Sequence, residues 1–466
     1  MRRLRALALA GLASAGLSSF AVAEVPETAP PDAPGSVSPV LDLEAFDPFA
    51  GIDEDGRIPR VARPDEIEHP DRWRYIPEGR IKPGNVFQRF LVSSFIAPFA
   101  SQDEDVGTRF GIAVTDIDFR HQRRQEFAGV FLSYSTRGEQ SYSLIWQRWL
   151  HHLENEGGGV FQEERSRVRV KAGYDKALTL RFFGFGADSR ERDETSYTDE
   201  LFEIDVGMEI AWPGPGDDLI LAGGLRGEFH QLASGKVKNV PSMNNPMGEF
   251  AGIFAAADPS NIGWMYWGVR YDTRDSQANP YRGWMLGALI EGAVLQNRGD
   301  VGFRYSTFGR WVLPVPGLFH RGGKGNEEHP PTDTLAFALD VDLTSGELPF
   351  FWRPSLGGNS RLRGFIAGRF RDDSLWWGAA EYRFWVLPRG FKIPFTRALR
   401  VERVGLATWY ELGSVADSGS GLFRSRIRTS YGVGLRLTLE RQAPFRVDVG
   451  FSDEEVIVSA RFGLPF

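Results

Sequence analysis

From about Gly107 to Phe466 apolar and polar residues alternate in segment after segment, a period of two that belongs to strands with one apolar and one polar face. In 431–439 the odd positions are Tyr, Val, Leu, Leu and Leu, and the even positions are Gly432, Gly434, Arg436 and Thr438. Val456, Val458, Ala460, Phe462, Leu464 and Phe466 share a face in the last segment, opposite Ser459, Arg461 and Gly463. One face suits lipid and the other a polar lumen. A soluble sandwich also alternates, so the deciding feature is the finish: alternation running to Phe466, as outer-membrane barrels commonly end. Pro465 beside it lacks a ladder donor, and Gly463 weakens its strand locally.

The first residues set the compartment. Arg2, Arg3 and Arg5 precede an apolar stretch at 7–22, and Ala21-Val22-Ala23 supplies the small-x-small site of a signal peptide over 1–23. Beyond it no segment approaches the ~20 consecutive apolar residues of a spanning helix. The 53 Gly, 35 Phe, 13 Trp and 12 Tyr fit a barrel, which needs apolar side chains only on its outer wall. With no Cys there are neither disulfides nor thiolate metal sites, and a formal charge of −7 argues against nucleic acid as a partner.

Residues 24–83 hold 11 of the 28 prolines and 14 Asp/Glu against 7 Lys/Arg, which predicts an acidic, largely disordered periplasmic segment. Within it, Asp53-Glu54-Asp55-Gly56 resembles part of a calcium loop but lacks the first and twelfth ligands, with Gly51 and Ala62 in their places. It reads as a solvated acidic turn. The stretch 85–100 is amphipathic and predicts a short helix at the barrel's periplasmic rim. Beyond it lie candidate strands at 109–119, 127–136, 140–151, 164–173, 178–186, 201–212, 218–230, 263–274, 284–295, 300–313, 334–343, 377–387, 404–415, 430–440, 445–452 and 456–466. That makes sixteen, the even number a bacterial single-chain barrel requires. The expected architecture is all-β: a 16-stranded antiparallel transmembrane barrel over 84–466 in the outer membrane, bathed by its lipids.

The stretch 354–365, Pro-Ser-Leu-Gly-Gly-Asn-Ser-Arg-Leu-Arg-Gly-Phe, breaks the alternation and places Arg363 beside the flexible Gly364 and Phe365. After it, Glu381 and Arg383 point inward while Tyr382, Phe384 and Val386 point outward. In the next strand Trp409, Glu411 and Gly413 point in. Two carboxylates on neighbouring strands thus face the lumen just after a loop that carries an arginine, whose forked donors suit both. These residues resemble the sixth-loop signature and later-strand motifs of the BamA/TamA superfamily, also called the bacterial surface antigen family. Tyr271-Asp272-Thr-Arg274-Asp275, followed by Pro280 and Gly283, is similar to that family's Tyr-Asp-x-Arg-Asp segment, and Phe182-Phe-Gly-Phe-Gly186 is a fainter match. The resemblance implies a long sixth extracellular loop folded into the lumen, with Arg363 held by Glu381 and Glu411. Where Glu411 stands, the family usually has Asp. Polypeptide-transport-associated domains are the family's usual N-terminal modules, and 24–83 is too short and proline-rich for one, so the resemblance is to a barrel alone.

For Arg363, Glu381 and Glu411 bracing of the interior competes with a direct transport role, and Asp272, Arg274 and Asp275 read as a salt-bridged strand end at a rim. No Gly-x-Ser-x-Gly or phosphate loop occurs, and His151-His152 point to opposite faces, so neither a catalytic residue nor a metal or cofactor site is expected. The resemblance implies insertion or translocation of proteins or other envelope components, through a weak seam between first and last strands. The candidate first strand, 110–119, loses its apolar face at Asp116 and Asp118. The alternative is a passive pore or surface-exposed binding barrel, with 24–83 or the loop 322–333 making contacts to periplasmic or envelope proteins. An outer-membrane hydrolase is a remoter reading.

Overall fold

In the computed structural model residues 57, 67–69, 72–76, 94–103, 106–116, 119–121, 125–155, 159–323, 327, 330–392, 400–439 and 443–466 are described. The signal peptide and the calcium-like turn lie outside them. Sixteen long strands make one antiparallel sheet curled into a barrel: β1 Ser94–Asp103, β2 Gly107–Asp116, β3 Glu126–Ser135, β4 Gln140–Trp149, β5 Arg167–Phe182, β6 Thr195–Trp212, β7 Leu219–Ser234, β8 Ser260–Asp272, β9 Gly283–Gln296, β10 Gly302–Val315, β11 Asp333–Gly346, β12 Ser374–Leu387, β13 Arg400–Ala416, β14 Arg428–Leu439, β15 Ala443–Phe451 and β16 Val456–Phe462. Each pairs with the next in chain order, by ladders such as Trp376↔Ser414 and Leu435↔Val447.

Alternation decides which wall each side chain meets. Tyr431 and Val433 are exposed on the outer wall, while Gly432, Gly434, Arg436 and Thr438 are buried inside. Trp212, Trp267, Trp284, Trp311 and Tyr410 also face out, and Tyr271 stacks on Trp284 at 5.3 Å. Amphipathic rings of this kind suit the headgroup level of a bilayer. Strand length is uneven. β6 runs for 18 residues, the first four strands for 10 each, β15 for 9 and β16 for only 7.

Three sequence expectations change. The number of strands stands among the described residues, but not their membership: 164–173 and 178–186 are one strand, β5, whose register shifts between Ala177 and Leu180. The polar run Tyr174-Asp175-Lys176 continues the strand in regular pairing, and the bulge lies just after it. The missing strand comes from 94–103, whose first part was expected to be helical; its residues Ala97 and Pro98 pair with Ala113 and Ile112. The segment read as the first strand is therefore the second.

The last strand ends early. Gly463 takes φ +87°, its N–H donates to Pro444 O at 2.7 Å, and the strand ends there. Phe466 thus packs in the lumen, edge-on to Trp377 at 5.8 Å, and does not continue the lipid face. Finally, Trp73–Ile76, inside the segment expected to be largely disordered, forms a strand paired with Val160–Glu163, which pairs in turn with His152–Glu154. Ile67, Trp73 and Phe161 form the core of this small sheet at the periplasmic rim.

Candidate functional site

The sixth loop on the rim opposite the termini, 347–373, runs between β11 and β12 and folds into the barrel. Leu356, Leu362, Phe365 and Phe370 pack with Trp377 and Val415 in a cluster of buried side chains. Phe365 meets Phe370 edge-on at 5.2 Å. The approach is so close that a Cβ on Gly364 would stand 2.5 Å from Phe451 O, and one on Gly413 3.2 Å from Leu356 Cδ1. Glycine at 364 is therefore a condition of docking.

Arg363 is fully buried with the acids the sequence assigned to it. Its main-chain N–H donates to Glu411 Oε2 at 2.7 Å, its Nε to Glu411 Oε1 at 2.8 Å, and its Nη2 ion-pairs with Glu381 Oε2 at 2.9 Å. The guanidinium lies 3.9 Å over the Trp409 ring, a cation–π contact in a desolvated place. Glu411 spans the extra length by taking both a main-chain and a side-chain donor, and Ser430 Oγ donates to it at 3.0 Å.

Sequence reasoning missed half of the network. Asp448 on β15 accepts from Arg363 Nη1 at 3.2 Å and Arg436 Nη1 at 2.6 Å, and it also pairs with Arg446. Glu381 Oε1 accepts from Arg383 Nε and Arg436 Nη2, both at 2.9 Å. The signal was present: alternation in 445–451 sets Arg446 and Asp448 on the inward face with Arg436. Arg383 also donates from Nη2 to the Phe466 main-chain oxygen at 3.0 Å and lies 5.2 Å over its ring. So the loop arginine, four lumen strands and the segment after β16 share one connected set of charges. Four arginines meet three carboxylates in a buried site, so removing an arginine takes donors from a buried carboxylate and removing a carboxylate leaves buried arginines unpaired.

The motif at 271–275 forms a second constellation at the periplasmic rim. Fully buried Asp272 takes Arg274 Nε and Nη2, each at 2.9 Å, while Asp275 Oδ1 accepts the N–H groups of Tyr281 at 3.0 Å and Arg282 at 3.1 Å. Gly283, at φ +103°, closes the turn. Arg165 donates to Arg274 O at 3.0 Å and to Asp218, and Arg72, next to Trp73, donates to Asp218 Oδ1 and Thr273 O. The expected rim salt bridge is thus also where the N-terminal segment is fastened. The loop 322–333, read as a surface contact, belongs to this same rim, since Thr332 and Asn279 line one small cavity together with Leu464.

A family model, the Omp85 superfamily domain, matches residues 154–463, well over half of the chain. The chain belongs to the Omp85 superfamily. It is accordingly an integral outer-membrane β-barrel, and not an enzyme. No curated protein matches it. Among solved structures it resembles CdiB from Escherichia coli, with a TM-score of 0.50 at 12% identity over 80% of this chain and 62% of that one. BamA from Haemophilus ducreyi lacking POTRA domains 1–3 is similar with a TM-score of 0.47, at 12% identity over 80% and 70%. For CdiB from Acinetobacter baumannii the values are 0.46, 13%, 80% and 59%. At such identity the likeness concerns the fold alone.

Proposed function

We propose that this Omp85 barrel inserts or translocates proteins, or other envelope components, at the outer membrane by opening between β1 and β16. The observation that carries the reading is the state of that seam. The strands that flank it are the shortest of the wall: β1 to β4 have 10 residues each and β15 has 9, against 16 in β5 and 18 in β6. At 7 residues β16 is shorter than the ~9–11 a spanning strand needs, and Phe466 beyond it is bound to Arg383 and Trp377 in the lumen. The seam is thus flanked by the shortest strands of the wall. In this reading Arg363 and its acids hold the loop that props the opposite wall, and 24–83, fastened through Arg72 and Trp73–Ile76, is a docking arm for envelope partners.

The chain has no native cysteine, so a cysteine pair across β1 and β16 gives a clean lock. In liposomes, the locked barrel is expected to lose its acceleration of the folding of an unfolded outer-membrane barrel, and reduction to restore it. Equal acceleration in the locked and reduced forms contradicts the seam mechanism. A second reading, a passive pore, draws on one observation: a cavity of about 240 Å³ in the lumen beside β5–β10, lined by Arg169, Glu209, Arg270 and Glu291. Single-channel recording separates the two, since a large, stable open conductance favours the pore and small or flickering currents favour a plugged lumen.

A further inference from the structure

The sixth loop touches the barrel wall at a second place, far from Arg363. Trp352 precedes Arg363 by eleven residues and sits in the turn Phe350–Trp352. Its indole Nε1 donates to Glu228 Oε2 at 2.8 Å, and the same oxygen accepts from Trp264 Nε1 at 2.9 Å. Arg226 ion-pairs with Glu228 at 3.0 Å, with its guanidinium 4.6 Å over the Trp352 ring and 5.2 Å over that of Trp264. Behind them His230 stands between Glu228 and Asp199, 2.9 Å from Asp199 Oδ2, and its ring lies 4.4 Å from that of Phe351. Glu228, His230 and Trp264 are buried.

This is a built receptor for an indole: a carboxylate for its N–H and a cation for its face, both preorganised by partners on the wall. It lies on β7 and β8, whereas the ligands of Arg363 lie on β12, β13 and β15, so the loop crosses the lumen from one wall to the other. We infer that Glu228 is a positioning residue that forms a second, independent anchor of the sixth loop, so that the loop acts as a strut with two fastened ends. The inference concerns the loop itself and holds whatever the barrel handles.

The test uses the full-length barrel in proteoliposomes with one cysteine introduced by Ser355→Cys, between the anchors. The readout is its labelling rate by an impermeant maleimide added outside, with heat-modifiable electrophoretic mobility as the check of folding. Trp352→Phe keeps the ring and removes only the donated N–H; Glu228→Gln removes the charge. Each is expected to raise the labelling rate about 10-fold, the scale of a lost buried hydrogen bond to a charged group. In an Arg363→Lys background Trp352→Phe is expected to add a similar factor, as independent anchors require. Unchanged labelling in Trp352→Phe overturns the anchor, and its failure to add to Arg363→Lys overturns the independence. Should Glu228→Gln not fold, Trp352→Phe carries the test alone, because it conserves the packing.

Discussion

Arg363 is fixed by groups from β12, β13 and β15, and each is buried, so its loss is felt through what it leaves behind. Arg363→Met is expected to cost ~3–5 kcal/mol, because Glu411 then keeps only Ser430 as its side-chain donor. Denaturant unfolding of the barrel in lipid checks this, and a loss under about 1 kcal/mol contradicts the account of a dry network. Asp275 carries a pH dependence. Burial is the main cause that pushes its carboxyl up to about 6, against the lowering effect of the Arg282 and Tyr281 N–H groups. A raised carboxyl contributes stability that is complete below the ordinary aspartate value and is lost as pH rises through about 6. Wild type should therefore lose stability relative to Asp275→Asn between acid and neutral pH, as followed by denaturant midpoints. Parallel curves contradict it. Glu381 and Glu411 were legible in the sequence because alternation fixes which way a strand residue points, and Arg363 through the resemblance carried by its loop. Glu228 and Trp352 were not, since no spacing relates them: a loop turn meets a wall more than a hundred residues away.

At the scale of elements, long alternating strands such as β12 and β14 could be read with their faces correct, because a one-residue slip exchanges the two walls. Reading failed where alternation is interrupted by a bulge, as in β5, or by Pro98 among clustered phenylalanines, as in β1. It failed again at the finish of β16. There a glycine conformation, which has no periodicity, turns Phe466 from lipid to lumen. Loop docking makes its own prediction. Gly364→Val places atoms against the Phe451 carbonyl and is expected to cost about 1–3 kcal/mol by overpacking, releasing the loop. Trypsin added from outside should then cut after Arg361 or Arg363, where wild type resists; equal resistance contradicts the tight approach.

The whole molecule is a wall of uneven strength. β5 to β13 are long, mutually laddered and crossed inside by the sixth loop, and the rim below them is tied by Arg165, Arg72 and Asp218. Strands shorten toward the seam, and there Phe466, four residues beyond the last one, is held by the lumen network. Phe466 is the point where the end of the wall meets the network. Backbone hydrogen exchange on the barrel in lipid nanodiscs tests this most directly. The account predicts that the amides of Val456–Phe462, and those of Ser94–Asp103 that do not face Gly107–Asp116, exchange far faster than the amides of Arg428–Leu439. Equal protection across all of them would mean that β1 and β16 are laddered in the membrane, and would contradict it.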